Sequence, residues 1–268
     1  MNVQFVGDSD QQILTTFHAP LNGSLQGTQS TGVLIATPIG TEYLRTHWAI
    51  RRLTQQLTRA GFPVLRFDYR GVGDSSMDIS EVQSLSEWHD DLREAAWSLR
   101  SQSDCDRISI IGLRIGATIA IGAASDNEGI EGLTEIIGWQ PVLDGKDYLQ
   151  SQRSMQACML DLWPTPINSI ANQTHEEILG SLFTRQLLSE IESINLKCDP
   201  GAALPEGVRF TNVDEFNSSS ECSTPNLDAS AAEKPAWDDL RYLEIAWLPI
   251  QEPKQIVKLI QSSAKEAR

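Results

Sequence analysis

The stretch Ile110-Ile111-Gly112-Leu113-Arg114-Ile115-Gly116-Ala117 constrains this chain more than any other. An apolar strand turns through two glycines into a helix of small residues, in the pattern G-x-R-x-G. Glycine accepts backbone conformations and close approaches that a Cβ forbids, so the spacing predicts a tight strand-to-helix turn. Such a turn lifts its central residue above the sheet, and here that residue is Arg114.

The flanking sequence supplies the rest of a layered α/β architecture. Residues Val3 to Phe17 alternate as an opening antiparallel hairpin, and Val33 to Ala36 reads as a buried strand that leaves through Pro38-Ile39-Gly40-Thr41-Glu42. From Thr46 to Ala60 the apolar positions Ala49, Ile50, Leu53 and Leu57 recur at helical spacing, with Gly61 as the stop. A strand over Pro63 to Phe67 ends in the loop Asp68-Tyr69-Arg70-Gly71-Val72-Gly73-Asp74-Ser75. Leu85, Trp88, Leu92, Ala95 and Leu99 then form the stripe of a second helix. Strands over Arg107 to Ile111 and Glu135 to Trp139 bracket a helix over Ile115 to Ala124. Alternation at this spacing implies βαβ units and a mostly parallel sheet.

After Asp144 the alternation breaks. Residues 147–196 carry helical patterns, Tyr148 to Leu162 and Glu176 to Ile194, without a good strand, and are expected to form a helical cap over the carboxyl edge of the sheet. Val208 to Val213 resumes the sheet. Residues 214–236 are rich in Ser, Asn, Asp, Glu and Pro and read as a mobile surface loop. Leu243 to Leu248 is the last expected strand, and Pro253 opens a closing helix. All 268 residues are expected in one domain, since 40% hydrophobic content suffices for a single core of this size.

Composition excludes several function classes. A formal net charge of -15 argues against nucleic acid and anionic membrane as partners, because both demand a positive face. The first residues have neither a basic nor an apolar leader pattern, and no apolar run is long enough to span a bilayer, so a cytoplasmic location is expected. The four cysteines and four histidines are dispersed, without metal-ligand spacing, so neither a metal nor a cofactor is expected.

These features together resemble the α/β-hydrolases of the serine aminopeptidase-like branch over nearly the whole chain. The loop Asp68 to Ser75 matches their D-x-R-G-x-G-x-S pattern, and Gly112 to Gly116 matches their G-x-S-x-G nucleophile elbow except at its centre. More narrowly, the chain is similar to hydrolase-like proteins associated with exosortase and exopolysaccharide systems. Those share a proline-to-glutamate loop after the third strand, as in Pro38-Ile39-Gly40-Thr41-Glu42, and a G-L-R-x-G-A elbow, as in Gly112 to Ala117. The resemblance implies an α/β-hydrolase fold with helices on both faces of the twisted sheet and a helical cap insertion.

It also implies a triad, and the triad is incomplete. The nucleophile position holds Arg114, whose guanidinium stays protonated and is no nucleophile. The acid position falls on Asp214, with Glu215 beside it. The base belongs after the last strand, where Pro249 to Pro253 has no histidine, and none occurs beyond His175. What remains is electrostatic: backbone N–H groups at Ile115 and near Gly40 and Thr41, a helix N-terminus, and the cation of Arg114. Binding of a small anionic or acyl ligand, or of a partner protein, is the leading expectation. The bland reading makes Arg114 a strut paired with Asp214 or Glu215, and Glu42 a helix-capping residue. A hydrolase or acyltransferase with a displaced nucleophile, or with water activated by Asp214 or Glu215, is the competing one. His47 and His89 are expected to be packing or surface residues, His175 lies in the expected cap with room to dip into the pocket but with no partner in the sequence, and the sequence sets no oligomeric state.

Overall fold

The computed structural model describes residues 1–21, 31–162, 171–213, 237, 246–247, 249 and 251–266. Two strands, β1 (Asn2–Val6) and β2 (Ile13–His18), form the opening antiparallel hairpin. They continue into β3 (Thr31–Ala36), helix α1 (Gly40–Arg59), β4 (Val64–Phe67), α2 (Leu85–Ser103), β5 (Arg107–Leu113), α3 (Ile115–Ser125) and β6 (Leu133–Trp139). Helix α4 (Gly145–Leu162), the hairpin β7 (His175–Ile178) and β8 (Ser181–Thr184), and α5 (Arg185–Ser193) precede β9 (Arg209–Val213) and α6 (Glu252–Glu266). The main sheet runs β1-β2-β4-β3-β5-β6-β9. β4, β3, β5, β6 and β9 are mutually parallel, and the hairpin joins antiparallel through β2. This mostly parallel sheet with helices on both faces is the expected fold class.

Strand alternation explains the two cores. Leu34, Ala36, Leu65, Phe67, Ile108, Ile110 and Ile136 face α2 and α3, whose Trp88, Leu92, Ala95, Leu99, Ile115 and Ile119 complete that layer. Val33, Ile35, Val64, Ile111, Leu113, Ile137 and Trp139 face the opposite way, onto Ala49, Ile50, Leu53 and Leu57 of α1 and Ile256 and Ile260 of α6. Successive strand residues point to opposite faces, so near-continuous apolar strands demand a helix layer on each side. No described helix is long and apolar enough to cross a membrane.

Two local expectations are corrected. Helix α1 begins at Gly40, six residues before the expected start at Thr46, and Gly40 enters it with φ +56. Glu42 therefore sits in the first turn of a helix rather than in a loop. Residues 176–184, expected to be helical, form the β7–β8 hairpin instead. Ile178 and Leu182 are four apart, a spacing that suits a helix. Leu179 and Gly180 both have positive φ, which ends a helix and makes the two-residue turn of a tight hairpin. Among its described residues the region expected as a cap holds two helices and a hairpin. It meets the carboxyl edge where the Thr41 hydroxyl donates to the Leu179 carbonyl at 3.2 Å, and it is fastened below by Thr184 Oγ1 donating to Val82 O at 2.7 Å. The loop expected over 214–236 and most of the strand expected over 243–248 lie outside the described residues.

At the far side of the sheet, Arg66 Nε donates to His18 Nε2 at 3.3 Å, which requires that ring nitrogen to be unprotonated. Burial, with the Arg66 charge second, holds the His18 pKa down to about 4. An unfolded histidine titrates near 6.5, so the unfolded chain binds more protons between those values. The resulting stability is present above about pH 6.5 and is lost as pH falls toward 4. Because the ring is only partly shielded, the loss is set on the order of 2 kcal/mol. Urea unfolding at pH 7 and pH 4.5 checks this: His18→Gln should lose less stability over that interval than the unaltered protein, by about that amount.

Candidate functional site

The carboxyl end of β5 turns into α3 through Arg114, whose φ of 54° and ψ of −127° lie outside the regions ordinary residues occupy. The flanking glycines are obligatory on steric grounds. A Cβ on Gly112 would lie 2.2 Å from Ala117 Cα, and one on Gly116 would lie 2.5 Å from the carbonyl oxygens of Ala36 and Thr37. The loop after β6 wraps the turn: Arg114 N donates to Trp139 O, and Val142 N donates to Arg114 O. Gln140, at the end of the neighbouring strand, also has positive φ, 51°. Two strained non-glycine residues therefore sit side by side at the carboxyl edge, where such strain is held by the surrounding structure.

Among the described residues the ionic partner of Arg114 is Glu42, with Nε donating to Oε1 at 3.1 Å. Glu42 is 2% exposed and the Arg114 side chain 15%, so the pair is largely withdrawn from water. Nη1 of Arg114 donates to the Gln140 carbonyl at 3.2 Å, and the guanidinium carbon lies 4.7 Å from the centre of the Trp237 ring. Arg45 lies 4.9 Å from the same ring. The Trp237 indole N–H donates to Gln140 Oε1 at 2.6 Å and its ring meets Trp247 edge-on at 5.2 Å. The donor indole fixes the orientation of the Gln140 amide, so Gln140 Nε2 faces away. Among the described residues Nε2 has no partner, nor do Glu42 Oε2 and Trp139 Nε1, although all three are buried. Burial, then the Glu42 charge, pushes the Tyr148 phenol well above its usual range, with Arg114 opposing.

The remaining candidates are placed as follows. Ile115 is fully buried as the first residue of α3. Gly40 and Thr41 line a small apolar cavity of about 20 Å³ together with Tyr148, Leu149, Phe183 and Leu188, room for about one water. Gly40 and Thr41 immediately precede Glu42, so the start of α1 and the elbow converge through the Glu42–Arg114 pair. Asp214 and Glu215 lie outside the described residues. Each histidine is engaged away from the elbow: His18 with Arg66, His47 edge-on to Trp48, His89 with Asp126, and His175 with Ser80 O. Glu42 was readable only as a capping residue, because nothing in its spacing relates it to a position 72 residues later. Trp237 and Gln140 carried no sequence signal at all.

The geometry can be set beside known proteins. The sheet and helices are similar to those of the α/β-hydrolase GrgF from Penicillium sp. sh18, at 12% identity over 80% of this chain and 90% of that one, TM-score 0.52. A protein from Agrobacterium vitis S4 matches over 97% of both chains at 16% identity, TM-score 0.50. Proline iminopeptidase of Mycobacterium smegmatis is matched over 59% of this chain and only 50% of its own length, at 12% identity and TM-score 0.45. At these identities the likeness is one of fold. No curated protein matches the chain. The model of the serine aminopeptidase S33 family matches residues 43–189, more than half of the sequence and including the elbow. By that match the chain belongs to the serine aminopeptidase S33 family of α/β-hydrolases.

Proposed function

We propose that this protein is a non-hydrolytic member of its family, which binds a small ligand at the elbow instead of cleaving one. The observation that carries the reading is Arg114 at the centre of the elbow with Glu42 as its partner. A guanidinium cannot attack a carbonyl, and no histidine stands beside it as the base that would activate a neighbouring hydroxyl. An oxyanion site without nucleophile and base retains only about 10³ to 10⁴ over water. The earlier choice between an anionic and an acyl ligand is sharpened by the pair. Arg114 already has its counter-charge, and an anion would have to displace a buried carboxylate. An uncharged acyl or similar acceptor needs only one hydrogen bond from the guanidinium. A cytoplasmic location and the narrower kinship with exosortase- and exopolysaccharide-associated proteins belong to this reading and rest on the sequence motifs alone.

Treatment with a fluorophosphonate probe and assay on short acyl esters test it. No serine should be labelled and no turnover should exceed the buffer rate. Arg114→Ser should stay equally inert, since restoring a hydroxyl restores no base. A serine labelled in the folded protein, with labelling lost on its replacement, would overturn the reading.

A further inference from the structure

The geometry points to an aromatic slot beside the elbow that the chain fills with its own Trp237, and that a planar ligand bearing one N–H or O–H donor takes in exchange for the indole. This rests on the elbow being a binding site and names the ligand class. Two guanidinium groups lie against the Trp237 ring, Arg114 at 4.7 Å and Arg45 at 4.9 Å from its centre. The ring donates one hydrogen bond, to Gln140 Oε1, and has Trp247 as a wall. Cations are drawn to the face of an aromatic ring, and guanidinium planes also stack on it. A saturated ring of equal size offers neither interaction. The walls have anchors apart from Trp237: Arg114 is held by Glu42 and the Gln140 carbonyl, the Gln140 backbone by its N–H on Val213 O, and Trp247 by its N–H on Arg45 O, while the donor in the slot sets only the turn of the Gln140 amide. Whatever recognises the indole therefore recognises another ring with a donor in the same place. Glu42 Oε2, on the carboxylate that pairs with Arg114 and buried without a hydrogen-bond partner among the described residues, would accept from a second donor on that ligand. The charge balance set by Glu42 favours an uncharged ring.

Phenol, indole and cyclohexanol titrated calorimetrically into the full chain provide the test. Trp237→Ala should bind phenol and indole at least tenfold tighter than the unaltered protein, which must first release its own ring. Cyclohexanol should bind at least tenfold more weakly than phenol, and adding Arg45→Met to Trp237→Ala should weaken phenol at least fivefold. Equal binding of cyclohexanol and phenol would overturn the slot, as would indifference to Arg45→Met or no binding at all by the folded variant. If Trp237→Ala does not fold, Trp237→Leu carries the same titrations. Fluorophosphonate labelling of the same samples separates the two readings: a labelled serine would overturn the non-hydrolytic function, while ring selectivity is decided by the titrations alone.

Discussion

Replacing Gly112 by alanine is expected to lower the unfolding free energy by about 3 kcal/mol or more. The added Cβ would meet Ala117 Cα at 2.2 Å and Ala117 N at 2.5 Å, and both are backbone atoms of α3 that cannot rotate aside. Relief requires α3 to move off β5, which breaks the layer that holds Ile115, Ile119 and Ala120 in the core. Gly129→Ala makes the control, because a Cβ there meets nothing within 4 Å and only its φ of +57 is unfavourable. That change should cost about 1 kcal/mol. Denaturant unfolding of both variants, read at the midpoint with an unchanged slope, checks the contrast. Equal losses would mean that the elbow has no special steric demand.

The second large effect is expected at the ion pair. Glu42→Ala leaves a mostly buried guanidinium without its counter-charge, and Arg114→Met leaves a carboxylate that is 2% exposed in the same position. Each single change should cost about 3 kcal/mol, since an uncompensated buried charge is the expensive outcome. The pair together should be worth far less. Glu42 Oε2 has no donor among the described residues, so the carboxylate's desolvation is only partly repaid there, and Glu42→Leu with Arg114→Met should fall within about 1 kcal/mol of the unaltered protein. A double-mutant cycle measures the coupling. Additive losses would show that the two side chains act separately and would remove the pair as the organising contact of the elbow. The same variants bear on function, because each single change exposes one charge of the site to any ligand.

The elbow and the layers around it were legible because they are local. Two glycines flanking Arg114, apolar alternation in the strands and 3.6-residue stripes in the helices each act within a few residues, and each reappears in place. The hairpin at β7–β8 was not, because Ile178 and Leu182 fit a helix as well as a strand until the two positive-φ residues between them are known. Glu42 was misplaced for a related reason. Its helix starts at Gly40, and no side chain of Ile39 caps it to announce the start.

By itself, then, the sequence determined the family, the parallel sheet with its two helix layers, and the presence of a cation where a nucleophile would stand. Those follow from residue type and short-range spacing. Only the tertiary structure decided what that cation does: Arg114 is met by Glu42 from the first turn of α1, by the Gln140 carbonyl from the end of the next strand, and by the Trp237 ring. The partner of a buried charge is chosen by which chain ends the sheet brings together, and strand order, not sequence distance, sets that.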